Sequence, residues 1–145
     1  MNSIRDEAVA LETNVFIIAL RKSSQSRACE TLLFDTLEDL TVYIPLQILI
    51  ELQRNLTNDE MRGVLRALIR ARAVRWDYTP APGELIAQWE QRGAKKGDAV
   101  IAAHLETANV HYFVSENRHF LAELPTLPFK VLSCEEAVRQ LGESA

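Results

Sequence analysis

Three acidic residues stand where a carboxylate needs a reason. Glu12 follows Val9-Ala10-Leu11 and is followed, after Thr13 and Asn14, by Val-Phe-Ile-Ile. Glu51 interrupts the run Leu46-Gln-Ile-Leu-Ile-Glu-Leu52, and Asp98 stands directly before Ala-Val-Ile-Ala-Ala. An ionised carboxylate on an apolar segment is unfavourable unless it is paired or bound to a metal. Each has a purely structural reading: Asp98 as a helix N-cap, Glu51 as the partner of an arginine, Glu12 as an acceptor for a neighbouring turn. Several carboxylates in one place, however, repel one another unless a cation sits between them. Oxygen ligands with no Cys or His among them select hard cations, Mg²⁺ or Mn²⁺. No Ser/His/Asp or Cys/His constellation is visible, and His104, His111 and His119 lack metal-ligand spacing. His104 and His111 read as packing or surface residues; His119 is a possible phosphate contact.

The elements that must position these groups alternate between strand and helix. Residues 8–11 form a short apolar strand ending at Glu12-Thr13-Asn14, and 15–20 continue as helix. A helical pattern covers 26–37, with Ala28, Leu32 and Leu33 on one side. Residues 41–44 are β-branched and aromatic, and Pro45 opens the next helix where proline fits best. Thr57-x-x-Glu60 is a capping box starting a helix to about Ala71. A strand follows at 74–78, a loop at 80–83, a helix at 84–91 stopped by Gly93, and a polar turn at 95–97. Asp98 begins an Ala-rich helix to Thr107; 111–114 is a strand ending in Ser115-Glu116-Asn117; 129–132 is a last strand. Ser133-x-x-Glu136 is a second capping box, opening the C-terminal helix. This alternation predicts one α/β domain over residues 1–145 with a mainly parallel sheet. In such a sheet, strand carboxyl ends and helix N-termini share one edge, where ligands bind. Glu12, Glu51, Asp98 and Asn117 all fall on that rim, where helix N-termini favour anionic groups.

Composition limits the alternatives. At 145 residues, 48% apolar and 25% charged, the chain can bury a core and is neither disordered nor a disulfide scaffold. Cys29 and Cys134 are too few and too far apart for a zinc cluster or bridged framework, and read as core or surface thiols in a reducing cytosol. The apolar run 15–20 is far too short for a membrane span, and no basic segment precedes it, so a cytoplasmic protein without a signal peptide is expected. A net charge of −4 argues against coating nucleic acid by bulk charge. Charge is unevenly spread, though: six arginines (54, 62, 66, 70, 72 and 75) face only Asp59 and Glu60 in one segment.

Four segments resemble the PIN-domain family and, within it, the VapC-type toxins of prokaryotic toxin–antitoxin pairs. They are Ala10-Leu-Glu-Thr-Asn-Val-Phe-Ile18, Ile50-Glu-Leu52, Gly97-Asp-Ala-Val-Ile-Ala-Ala103 and Phe113-Val-Ser-Glu-Asn-Arg-His-Phe120. Asp-Ala-x-Ile-Ala-Ala is the most specific, and together they span nearly the whole chain. The resemblance implies a three-layer α/β/α fold and a metal-dependent ribonuclease cleaving single-stranded RNA to 5′-phosphate and 3′-hydroxyl ends. By motif position Glu12, Glu51, Asp98 and Asn117 are the implied site residues, with Ser115 beside them and Glu12, Glu51 and Asp98 as ligands of Mg²⁺ or Mn²⁺. An antitoxin protein is the implied partner.

The chain departs from that pattern at three positions. Glu12 replaces the usual Asp, Asn117 carries no charge, and His119 stands where many members have another Asp. The alternative is therefore a catalytically weak or inactive PIN-like module that binds RNA or a partner protein. Arg62, Arg66 and Arg70 recur on one helix face, and Lys95 and Lys96 precede Asp98; these five are candidate RNA contacts, with a solvated or protein-contact face as the other reading. Trp76 and Trp89 read as core or interface, not as stacking platforms. Apolar helix surface at 46–52 and 64–69 predicts a homodimer. A receiver-like domain would need a phosphorylatable Asp and a downstream lysine, and phosphatase chemistry would want Asp-x-Asp where the chain has Glu-Thr-Asn.

Overall fold

The computed structural model describes residues 3–21, 27–117, 120 and 127–143. Among them the order is β1 (Ala8–Leu11), α1 (Thr13–Leu20), α2 (Arg27–Glu30), β2 (Thr41–Pro45), α3 (Leu46–Asn55) and α4 (Asn58–Ile69). Then follow β3 (Ala73–Asp77), α5 (Gly83–Gln91), α6 (Lys96–Thr107), β4 (Tyr112–Val114), β5 (Lys130–Leu132) and α7 (Cys134–Glu143). The sheet order is β3-β2-β1-β4-β5, and every pairing is parallel. Successive strands step outward from β1 through β2 to β3 on one side, and β4 and β5 fill the other side. The order therefore reverses between β1 and β4, which opens a crevice at their carboxyl ends.

Burial follows strand position. All of β4 is buried, as are all but the first residues of β1 and β2, which explains their unbroken apolar runs. β3 is an edge strand and alternates less strictly, with Arg75 and Trp76 outward and the Arg75 guanidinium over the Tyr43 ring. Helices α5 and α6 pack together and α3 joins them, whereas α2 packs on α1 and α7. Both capping boxes form: Thr57 with Glu60, and Ser133 with Glu136. Gly93 ends the α5 turn at φ 103°, a left-handed conformation open to glycine.

Several expectations shift. The helix at 26–37 is instead α2, a π-helical turn over Thr31–Asp35 and a 3₁₀ turn over Leu37–Asp39. Thr36 causes part of this: its N–H bonds back to the Thr31 carbonyl and its hydroxyl to Leu32, which widens the turn. Pro45 is the last residue of β2 and the N-cap of α3, one position earlier than expected. The polar turn at 95–97 is already helical from Lys96, so Asp98 lies inside the first turn and not before it. Trp89 is core, its indole donating to Glu106 at 2.9 Å, while Trp76 is partly exposed. His104 is buried and His111 pairs with Glu7 at 2.6 Å. The 46–52 segment sends Ile48 and Leu52 into the core; among the described residues Leu65, Ile69, Trp76 and Tyr78 are the large apolar side chains left exposed.

The reading of Cys29 and Cys134 as separate thiols is corrected: they form a disulfide, their Cα atoms 5.2 Å apart across 105 residues of sequence. The packing of α2 on α7 brings together two positions that linear spacing kept apart. No described helix is long and apolar enough to cross a membrane.

Candidate active site

Glu12 leaves β1 at the reversal point, held there by its N–H donating to the Val114 carbonyl of β4 at 2.9 Å. Its side chain is buried and accepts a hydrogen bond from the Ser115 hydroxyl. Ser115 is itself fully buried, fixed by its N–H to the Leu132 carbonyl at 2.9 Å. The same hydroxyl accepts from the Asn117 N–H at 2.8 Å, closing a tight turn just past β4. The Asn117 amide nitrogen then sits 3.2 Å from both oxygens of Asp98. A continuous chain thus runs Glu12–Ser115–Asn117–Asp98, from β1 through the β4 loop to the first turn of α6.

Glu51 reaches the same crevice from α3. One oxygen accepts from Thr13 at 2.8 Å and the other from Gln47, one helical turn back, at 2.9 Å. A side-chain carbon at Gly97 would lie 3.5 Å from that second oxygen, so Glu51 also abuts the α6 N-terminus beside Asp98. Electrostatics tie the three together. Burial, and then the charges on Asp98 and Glu51, push the Glu12 carboxyl up to about 7 against the opposing hydrogen bonds from Ser115 and Asn117.

The structure therefore brings Glu12, Glu51, Asp98, Ser115 and Asn117 to one crevice. The carboxylates are spread, however: among the described residues the one His/Cys/Asp/Glu trio with ligand atoms all within 4.8 Å of one another is Cys29, Glu116 and Cys134. Lys95 and Lys96 are exposed at the start of α6, beside Asp98. Arg62, Arg66 and Arg70 are exposed on α4 or at its end, with Arg62 engaged by Asp59 at 2.6 Å. His119 lies outside the described residues.

Sequence reasoning missed Thr13 and Gln47 as the groups that aim Glu51. Thr13 directly follows Glu12, so the signal was a hydroxyl beside the first acid; Gln47 stands four residues before Glu51, on its helix face. The Glu116 carboxylate accepts from the Cys134 N–H at 3.2 Å.

No protein-family model matches the chain, and no curated protein matches it in sequence. Solved structures do. VapBC2 from Rickettsia felis, bound to a DNA fragment from their promoter, matches with a TM-score of 0.62 at 20% identity, covering 87% of this chain and 98% of that one. PAE2754 from Pyrobaculum aerophilum matches at 0.56 and 15% identity, covering 98% and 99%. FitAcB from Neisseria gonorrhoeae matches at 0.52 and 19%, covering 88% and 98%. At such identities the likeness is one of architecture: the chain shares the parallel α/β fold of these three structures.

Proposed function

We propose that the chain is a metal-dependent endoribonuclease acting on single-stranded RNA, the toxin of a toxin–antitoxin pair. The observation that carries this reading is that Glu12, between β1 and β4 at the strand carboxyl edge, feels the charges of both Asp98 and Glu51. The donor set suits a hard divalent cation. Every candidate ligand is oxygen, and a cation would offset the burial, and then the repulsion from Asp98 and Glu51, that keep Glu12 partly protonated. Glu12, Glu51 and Asp98 would hold Mg²⁺ or Mn²⁺, which when bound supplies charge at the scissile phosphate and a more acidic water.

The chain's own residues do the positioning. Ser115 aims Glu12, Thr13 and Gln47 hold the two oxygens of Glu51, and Asn117 faces Asp98 with a neutral amide. Lys95 and Lys96 draw phosphates to the rim, and Arg62, Arg66 and Arg70 offer a second basic strip for backbone contacts. Water adds to phosphorus, the bond to the 3′ oxygen breaks, and that oxygen leaves with a proton, giving 5′-phosphate and 3′-hydroxyl ends. The same reading takes residues 1–145 as a single cytoplasmic domain with an antitoxin protein as partner and a second copy as its homodimer mate. Exposed Leu65, Ile69, Trp76 and Tyr78 supply apolar surface for such contacts.

The test is cleavage of single-stranded RNA with Mg²⁺ or Mn²⁺, with Asp98→Asn as control. Asp98→Asn should lower the rate about a hundredfold or more; equal rates in both proteins would refute the assignment. One observation favours the weaker reading, a module that binds but cuts slowly: the Asn117 amide donor occupies the approach to both Asp98 oxygens. Glu12, one methylene longer than Asp, is also turned onto Ser115. Slow cleavage that is faster in Mn²⁺ than in Mg²⁺, and raised by Glu12→Asp, is the outcome expected of it.

A further inference from the structure

The loop that carries Ser115 and Asn117 has a second attachment, on its far side. Glu116 lies between them in sequence, and its own N–H reaches the Asn14 side chain at 3.4 Å. Its carboxylate oxygen accepts from the Cys134 N–H at 3.2 Å, at the first residue of α7, and lies 3.6 Å from the Cys29 sulfur. Cys29 and Cys134 are fully buried and bonded to each other. The pair thus fixes the α7 N-terminus to α2, the α7 N-terminus holds Glu116, and Glu116 is flanked by the two residues that touch Glu12 and Asp98.

We propose that Cys29 and Cys134 are a reversible thiol–disulfide pair that sets the divalent-metal affinity of the crevice through Glu116. The proposal rests on the nuclease reading above and names a regulation of that site. Oxidation proceeds by exchange with a low-molecular-weight disulfide. One cysteine thiolate attacks it, forming a mixed disulfide and expelling one small thiolate. The second cysteine thiolate then displaces the other, so two electrons and two protons pass from the protein to two small thiols. Reduction by a small thiol reverses each step. Because both sulfurs are buried, exchange waits on local opening at the four-residue helix α2.

Loss of the covalent tie decides the direction of the effect. Reduction unlinks the α7 N-terminus from α2, so the Cys134 N–H that Glu116 accepts from is held less firmly. A free Cys29 thiol offers Glu116 a hydrogen bond in return, but S–H is a weak donor and does not replace a covalent tie. Reduction therefore loosens the loop, and with it Ser115 and Asn117, so metal affinity falls. Glu116 is the positioning residue through which the pair acts.

The experiment poises wild-type protein in glutathione buffers, counts thiols by alkylation and mass spectrometry, and measures Mn²⁺ binding by EPR and RNA cleavage on the same samples. Oxidised wild type should bind Mn²⁺ at least about fivefold more tightly than reduced. Cys29→Ser/Cys134→Ser should bind like reduced wild type in every buffer, and Glu116→Gln should still exchange yet lose most of the difference. Equal Mn²⁺ affinity in both redox states overturns the proposal and leaves the nuclease reading standing. Thiols that fail to interconvert, or one equivalent of Zn²⁺ held by the reduced pair, also overturn it. Interconversion with no Mn²⁺ binding in either state overturns both.

Discussion

Two clusters meet back to back on residues 115–117, and they manage crowding in opposite ways. In the crevice, Glu12, Glu51 and Asp98 are held apart, each by its own neutral donors: Ser115, Thr13 with Gln47, and Asn117. Behind it, Cys29, Cys134 and Glu116 have their ligand atoms within 4.8 Å of one another, and the sulfurs are closed by a covalent bond. Hydrogen bonds orient the carboxylates without neutralising them, so the crevice keeps negative charge that a cation can use. The sulfur side keeps no charge at all on its cysteines and spends its geometry on holding chain segments together. One keeps its charge and the other braces.

Removing the brace should have the largest effect on stability. By loop-closure entropy, a cross-link over 105 residues contributes roughly 5 kcal/mol. Urea unfolding with and without reductant should differ by about that much, and by much less in Cys29→Ser/Cys134→Ser.

The next effect belongs to the crevice and depends on pH. Glu12 is raised from 4.5 to about 7, chiefly by burial. Between those values the folded chain holds a proton that the unfolded chain has released, so stability falls as pH rises through the window, by roughly 3 kcal/mol in total. His104 opposes this. Burial lowers its pKa, so the unfolded chain takes up its proton first and stability rises with pH there. The difference between wild type and Glu12→Gln, measured by denaturation from acid to neutral pH, isolates the Glu12 slope. A parallel pair of curves would contradict the assignment.

Most of the crevice was legible in the sequence, and the brace was not. Glu12, Glu51 and Asp98 interrupt apolar runs, and strand–helix alternation places them on one edge without any distance being known. The α4 and α7 starts were equally readable, because Thr57 and Ser133 write their caps into local spacing; α1 begins at Thr13, two residues before the reading of helix from 15. The disulfide depends on α2 packing against α7, a tertiary fact with no local signature. The break of the 26–37 helix was missed for a related reason, since apolar periodicity does not register the backbone bonding of Thr36.

Smaller changes sharpen the contrast. Ser115→Ala strips Glu12 of its buried donor and should destabilise by about 2 kcal/mol, more at pH above 7 than below, because the ionised carboxylate loses most. Arg62→Ala breaks only an exposed pair with Asp59 and should change stability by less than about 0.5 kcal/mol. Unfolding measurements on both variants in one buffer series check the ranking.

The central claim is that the crevice binds a divalent cation through Glu12, Glu51 and Asp98, and proton-linked Mn²⁺ calorimetry tests it most directly. Titrations near pH 6 in two buffers of different ionisation enthalpy report protons released on binding. The expected result is one Mn²⁺ per wild-type chain with close to one proton released, because Glu12 is largely protonated there. Glu12→Gln should bind at least about tenfold more weakly and release none, and Asp98→Asn should also bind more weakly. Mn²⁺ that fails to bind, or that binds wild type, Glu12→Gln and Asp98→Asn alike, would contradict the account.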